Sequence, residues 1–433
     1  MVTEPFVRTE ILGPKAPPLT QVGIIRWMRE NLFNGWLNSI LTILAILVVY
    51  LVVSALLPWM LQSSWTATSL SECREVISTT YGEGTSGACW AVIRERYAQL
   101  LYGFYPSELY WRVNLTFVLM LVAMAPVLFV NLPRKMMWFS AGFPFLAYWL
   151  LWGGSLWNPL VVLAGFAFGF GAFGIVSRFA GTLLGIIAAI IAPILWWLFL
   201  AGDVAGALAS VIGLEIEFVE SAKFGGFALS TVIGVTGITA SLPLGILLAL
   251  GRQSKLPLLK SICVGFIEFI RGVPLITLLF VASTLLNIFL PPGTNFDLIL
   301  RVVIMVTLFA SAYLAEVVRG GLAALPKGQY EAADALGLDY WKSMRLIILP
   351  QALKISIPGI VSTFIGLFKD TTLVSIIGLL DPVGLSNSIR ANAAWNGIVW
   401  ELYIFVALVF FAICFSMSRY SMYLERRLQT GHR

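Results

Sequence analysis

From Arg319 to Pro350 the chain reads RGGLAALPKGQYEAADALGLDYWKSMRLIILP. Pro326 and Gly328 mark a turn, an Ala-rich stretch follows, and Gly337 closes it. Proline at the entrance and glycine at the exit fit a short amphipathic helix. Asp339-Tyr340-Trp341-Lys342 then opens a second helix that climbs into apolar sequence. The segment lies between two long apolar runs, so it predicts a short helix held parallel to a membrane surface, either a surface anchor or a docking knob.

The composition around it agrees. Of 433 residues, 59% are hydrophobic and only 12% charged; a soluble domain carries about 25% charge. The mean hydropathy is +0.89. High hydrophobicity with low charge also excludes intrinsic disorder. The net charge of +6 would suit nucleic acid, but no basic-aromatic module is visible. The single histidine, His432, lies at the extreme C-terminus, which argues against a His-based metal or catalytic site. The four cysteines show no C-x-x-C spacing.

A spanning helix needs about 20 apolar residues. Candidate spans are Gly35–Leu61, Val113–Val130, Met136–Trp152, Trp157–Val176 and Phe179–Ala201, then Phe224–Leu250, Leu259–Leu290, Ile299–Val318, Ile355–Phe368 with its flanks, and Ile398–Ser418. That predicts an all-α membrane protein with about ten transmembrane helices, five plus five. Gly153-Gly154-Ser155 is the natural break in the uncharged run from Met136 to Ser177. The first span is too long for a signal-peptide core and reads as a retained anchor.

With the N-terminus inside, the inner segments hold most of the 28 Lys and Arg, and every short inner loop carries one. Both termini are then cytoplasmic, and the polar stretch 62–112 lies outside. Cys73 and Cys89 sit in that stretch, in an oxidising place, where a disulfide would contribute about 3 kcal/mol. Cys263 and Cys414 fall in apolar spans and read as packing residues. Gly165, Gly169, Gly171 and Gly174 have the spacing of a close helix contact.

The segment quoted first resembles the signature loop of ABC-importer permeases, E-A-A, three residues, G, nine residues, I-x-L-P. Glu331-Ala332-Ala333, Gly337 and Ile347-Ile348-Leu349-Pro350 match every fixed position. Further segments resemble the polar amino-acid branch of these permeases. They are Glu268-Phe269-Ile270-Arg271-Gly272-Val273-Pro274-Leu275, Tyr313 to Gly320, and Lys369 to Gly378. Val273 stands where the family commonly has Thr, and Thr372 where it commonly has Ser. The resemblance covers Gly225 to about Leu428. The extra N-terminal spans look like the long permease subunits of bacterial general L-amino-acid and glutamate/glutamine/aspartate/asparagine systems.

The resemblance implies a type I ABC-importer five-helix core. On it the chain divides into 1–34, a cytoplasmic tail; 35–61, the first transmembrane helix; 62–112, a periplasmic loop; 113–222, additional transmembrane helices; 223–420, the permease core with its coupling loop 319–347; and 421–433, a cytoplasmic tail. It implies ATPase coupling through Lys327, Gly328, Glu331, Ala332, Ala333 and Gly337. The implied partners are a sister permease in a heterodimer, two ABC ATPase subunits, a periplasmic amino-acid-binding protein and the lipid bilayer, with no nucleic acid. The chain has no G-x-x-x-x-G-K-[ST] phosphate loop. It is therefore expected to bind no cofactor and catalyse nothing, with ATP and Mg on the partner ATPase. The implied place is a bacterial inner membrane.

Charges inside a bilayer are costly and functional by default. Glu268 and Arg271 fall about 15 Å into their expected span, and Pro274 suggests a broken helix lining a cavity. Lys369 and Asp370 are expected at similar depth. Two positive and two negative charges complement an amino-acid zwitterion, and Thr371 and Thr372 add neutral hydrogen bonds. The competing reading makes Glu268–Arg271 a structural i, i+3 pair and Lys369–Asp370 a helix cap. Glu316 and Arg319 are expected to brace the coupling loop. An ion-coupled secondary transporter of five-plus-five helices is the rival function, and a membrane-embedded transferase a weaker one. No counterpart of the Glu331 loop in the first half speaks against the former, and no cluster of catalytic groups supports the latter.

Overall fold

The computed structural model describes residues 23–129, 131–285 and 297–429. The start of the N-terminal tail with Arg8 and Lys15, the end of the expected span Leu259–Leu290, and His432 and Arg433 lie outside the described residues. The chain divides into two compact units, 1–91 and 92–433.

In the first unit, α1 (Gly23–Asn31) leads through Gly35, at φ 100°, into α2 (Trp36–Leu61). α2 has no charged residue and a mean hydropathy of 3.0, so it is a span by composition alone. Then α3 (Leu70–Tyr81) starts on Ser69, whose hydroxyl accepts from the Glu72 N–H. The Glu72 carboxylate reaches back to the Thr68 N–H and hydroxyl, and those bonds hold its pKa below the usual carboxylate value. Cys73 on α3 is disulfide-bonded to Cys89, and both are buried. The Cys89 segment is tied to the end of α2 by Ala88 N–H to Trp59 O (2.8 Å) and Ser64 N–H to Ala88 O (3.1 Å). Trp90 packs against both Trp59 and Trp65.

The second unit opens with α4 (Ala91–Tyr102), α5 (Tyr110–Leu128) and α6 (Met137–Trp152). The stretch expected as one loop, 62–112, is thus divided, because its second half has its own apolar anchor. Tyr105 packs edge-on against Phe224 and donates to Leu151 O at 2.7 Å. Phe104 N–H bonds Lys223 O. Arg112, 1% exposed, donates to Leu150 O and Glu217 O. Gly153 and Gly154, both at φ 78°, make the expected turn; β1 (Gly154–Ser155) pairs antiparallel with β2 (Glu215–Ile216). A left-handed φ is open to glycine at little cost.

Between these strands lie α7 (Trp157–Leu195), a π-helical turn at Trp196–Leu200, and α8 (Ala201–Val211). α7 doubles back at Gly181, at φ 84° and ψ 165°. The two limbs pack closely: a Cβ on Gly165 would strike Trp197, and one on Gly169 would strike Pro193. Trp196 and Trp197 donate across the contact to Val161 O and Val162 O. Gly171 and Gly174, expected in the same contact, face open space, so the spacing identifies the interface for two of the four glycines.

The core consists of α9 (Gly226–Arg252), α10 (Pro257–Gly272), α11 (Leu275–Phe280), α12 (Leu298–Ala323), α13 (Lys327–Ala335), α14 (Tyr340–Ser343), α15 (Leu349–Asp370), α16 (Pro382–Ala391) and α17 (Trp400–Gln429). Small residues let α9 and α12 approach: Gly245 meets Leu314 and Gly237 meets Val306. α10 and α11 form one chain path bent by 102° at Val273-Pro274, where the proline cannot continue the helix. One apolar cluster joins Tyr105, Val113 and Leu151 of the N-terminal helices to Leu229, Ile233, Leu279 and Val302 of the core.

By length and hydropathy, seven helices among the described residues can cross a membrane, or eight with the bent pair. This is fewer than the ten expected, for two physical reasons. The 55 residues from Trp157 to Val211 form one helical stretch although the chain reverses at Gly181. α6, at 16 residues, rises only about 24 Å, short of a full hydrocarbon core.

Candidate functional site

The segment that decides the fold builds a short helix with a defined stop at each end. Pro326, at φ −57° and ψ 138°, sets the entrance as the residue before α13. Gly328 lies inside the helix, which corrects its expected place in the turn; Pro326 alone makes the corner. At the exit, Gly337 takes φ +68°, its N–H bonds Asp334 O (2.9 Å), and Leu338 N–H bonds Ala333 O (3.2 Å). These two bonds form a Schellman cap, satisfying carbonyls that the helix end leaves open. Asp339 then caps α14 by accepting the Lys342 N–H and pairs with its ammonium at 3.1 Å. Those bonds keep the Asp339 carboxyl below its usual pKa.

One face of α13 is anchored. Ala333 is fully buried, the Tyr330 hydroxyl donates to Leu322 O, and the Gln351 amide donates to Gln329 Oε1. The other face is open: Lys327, Gly328, Glu331, Ala332 and Asp334 are exposed, as are Leu336, Tyr340 and Trp341 beside them. The result is a rigid knob with small, acidic and apolar groups outward.

Behind it lies a cluster of five charges. Glu316, 16% exposed, meets Arg252 at 2.7 Å, Arg319 at 2.9 Å and Arg271 at 4.0 Å. Arg252 also donates to Glu268 at 2.9 Å, and the Arg271 guanidinium lies over the Tyr313 ring. Glu268 thus pairs with the end of α9 rather than with Arg271. The cluster ties α9, α10 and α12 together one short step before the knob.

Lys369 and Asp370 lie elsewhere, at the end of α15, about 32 Å of helix beyond Leu349. The four charges expected to surround one zwitterion are therefore divided. The expectation of a common mid-depth took the fourth core span to begin at Ile355, whereas α15 begins at Leu349 and continues helical structure from Tyr340. The Thr371 and Thr372 hydroxyls donate to Phe368 O and Lys369 O, closing the helix end. The same end of the core bears a cavity of about 460 Å³, lined by Phe218, Glu220, Ser221, Asp297, Ile299 and Leu379 among others.

Arg252 escapes a reading of sequence because it looks like one more loop cation; its place at the last turn of α9 was the available signal. Arg112 escapes for a similar reason, its partners being backbone carbonyls far along the chain. Asp381 was legible in principle as Asp before Pro at a helix start. Among the described residues no group of His, Cys, Asp and Glu could hold a metal ion.

Residues 241–430 match the family described as the binding-protein-dependent transport system inner membrane component. The chain is 60% identical over 429 residues to a glutamate/glutamine/aspartate/asparagine transport system permease protein of Rhodobacter capsulatus, covering 99% of both. It is 42% identical to an inner membrane amino-acid ABC transporter permease protein of Escherichia coli, covering 94% of this chain and 93% of that one. Among solved structures, an amino acid ABC transporter crystallised with histidines is similar over 46% of this chain and 90% of its own, with 30% identity and a TM-score of 0.42.

Proposed function

The chain belongs to the amino-acid ABC transporter permeases, and from that premise we propose that it imports polar L-amino acids by alternating access, driven by ATPase subunits that dock on α13. As a family member it is a membrane-embedded transport subunit, and in this reading it has no enzymatic activity of its own. In this reading a periplasmic binding protein delivers substrate, a sister permease completes a heterodimer, and two ATPase chains hold the ATP and Mg. Both termini face the cytoplasm, and the disulfide-closed segment after α2 faces the periplasm. The Rhodobacter capsulatus relative, named for the transport of four acidic and amide amino acids, supports the substrate class.

The observation that carries the coupling role is the capped, anchored geometry of α13. A helix fixed by Ala333, Tyr330 and Gln329 on one side and open on the other can transmit a push. Its small outward residues, Gly328 and Ala332, permit close approach, and Glu331 offers a charge to the partner. The Glu316 cluster then carries the displacement from α12 into α9 and α10.

For substrate, the reading assigns Lys369 to the carboxylate and Asp370 to the ammonium, with a Thr372 lone pair as acceptor; Thr371, expected beside it, is fully buried and only closes the helix end. Glu268 and Arg271 join the coupling network, since Arg252 and Glu316 already engage them. The deciding experiment is amino-acid-stimulated ATP hydrolysis by the full importer in proteoliposomes, comparing wild type with Glu331→Lys. Loss of stimulation with intact insertion is expected. Stimulated hydrolysis and uptake that survive unchanged would remove α13 as the transmission point.

A further inference from the structure

α1 divides its side chains into two arcs, apart from Asn31 at its last position, which falls on the apolar side and bonds Trp27 O. At 100° per residue, Ile24, Ile25 and Met28 share one arc with Trp27 at its edge, while Arg26, Arg29 and Glu30 occupy the opposite arc. The helix buries none of its residues, and Ile24 is 78% exposed. A nine-residue helix with an unburied apolar arc is unstable alone in water, so its partner must lie close by.

The position of α1 identifies that partner. Leu32, the residue after α1, has its carbonyl bonded by the Thr42 hydroxyl at 2.7 Å. Thr42 is six residues into α2, so the bond holds the end of α1 about 9 Å along a span that starts at Trp36. Leu32 and Phe33 N–H groups both bond Met28 O, and Gly35 turns at φ 100°. The chain therefore folds back against α2 within its first turns, the depth at which headgroups give way to acyl chains. We propose that α1 is an interfacial anchor, with Ile24, Ile25 and Met28 in the acyl boundary, and Arg26 and Arg29 among anionic phospholipid headgroups. Amphipathic helices with basic polar faces bind membranes in this manner. The Arg26–Glu30 pair at 2.8 Å stiffens the polar side. The inference does not depend on what the importer carries.

The test is nitroxide accessibility in the assembled importer in proteoliposomes, with Cys263 and Cys414 changed to alanine and one label placed by Met28→Cys or Glu30→Cys. The expected result is that the label at 28 collides mainly with oxygen and the label at 30 mainly with an aqueous nickel chelate. Nickel access at both positions would place α1 in water, and access to neither collider would mean that protein covers it; each overturns the proposal. A second arm adds phosphatidylglycerol to neutral vesicles. Nickel access at 28 should fall several-fold, by about fivefold per arginine at most, and the fall should vanish with Arg26→Gln plus Arg29→Gln. A response that ignores lipid charge, or survives loss of both arginines, overturns the headgroup assignment.

Discussion

The Glu316 carboxylate, on the third described span of the core, lies 2.7 Å from the guanidinium of Arg252 at the end of the first. Glu316 also holds Arg319 at 2.9 Å, seven residues before Pro326 and the coupling helix. A single carboxylate therefore links the segment that meets the motor to the end of the neighbouring span. Three guanidiniums around two carboxylates leave the cluster one positive charge in excess, and Glu316 is the carboxylate that touches all three.

Glu316→Ala is expected to cost about 3 kcal/mol, because it leaves Arg271 and Arg319 without a carboxylate and Arg252 with the exposed Glu268 alone around one mostly buried position. Glu268→Gln should cost under about 1 kcal/mol, since Glu268 is 55% exposed and well screened. Thermal unfolding of purified wild type and variants compares the two. Equal losses would show that Glu316 is not the hub.

Gly337→Ala places a Cβ at φ +68°, a conformation costing an L residue about 1–2 kcal/mol. The Schellman cap loosens and α13 shifts, so stimulated ATP hydrolysis should fall while the chain still inserts. Gly328→Ala is the control for fold: it sits in a helix with no neighbour near its Cβ and should be neutral or slightly stabilising. Unchanged hydrolysis in Gly337→Ala would separate the cap from coupling.

Lys369→Gln and Asp370→Asn should each weaken transport through substrate binding, raising KM for uptake about tenfold or more with little change in basal hydrolysis. Thr372→Val should act in the same direction and less strongly. If KM stays at its wild-type value in both charge variants, the amino acid is recognised elsewhere.

Loss of the Cys73–Cys89 bridge should destabilise the segment after α2 by about 3 kcal/mol, because the bond closes a short loop. Cys73→Ser with Cys89→Ser is expected to become cleavable by protease between Gln62 and Ala91 before the rest of the chain. Alkylation of the unfolded, unreduced protein should label Cys263 and Cys414 alone. Labelling of all four thiols would show the bridge absent.

Asp381 is fully buried at the start of its helix and accepts the Val383 and Gly384 N–H groups at 3.1 and 3.0 Å. It lies between the spans Tyr340–Ile377 and Trp400–Leu428. Burial pushes its carboxyl from 3.8 to about 6, outweighing backbone bonds that pull it down. A raised folded pKa favours the protonated state, so its stabilisation is complete below about pH 4 and lost as pH rises through about 6. The loss should approach 3 kcal/mol (about two units). Asp381→Asn keeps one of the two acceptor oxygens and cannot titrate, so its unfolding midpoint should be lower overall but stay flatter from about pH 4 to 7.5. Parallel curves would assign the titration to another group.

Much of this was legible in the chain because its causes are local. Proline at 326, glycine at 337 and the aspartate at 339 act on backbone within a few residues, so the coupling helix could be bounded without coordinates. Pro274 likewise announced the bend between α10 and α11. The apolar runs located the spans, since transfer into lipid depends on composition over about 20 residues. The two expected spans, Trp157–Val176 and Phe179–Ala201, put the reversal inside α7 within a few residues of its pivot, Gly181.

What faces what was a different matter. Arg112 and Arg252 were indistinguishable from loop cations, because a guanidinium's partners depend on which helix faces meet. Glu268, Arg271, Lys369 and Asp370 were grouped by depth counted along separate helices, and beginning the fourth core span at Ile355 rather than Leu349 helped to place them together. Local chemistry and hydrophobic period decided the elements, their spans and the family. The division of those charges into a coupling hub and a distant helix end needed the packing of α9, α10 and α12, where ion pairs join residues that no period or neighbour relation connects.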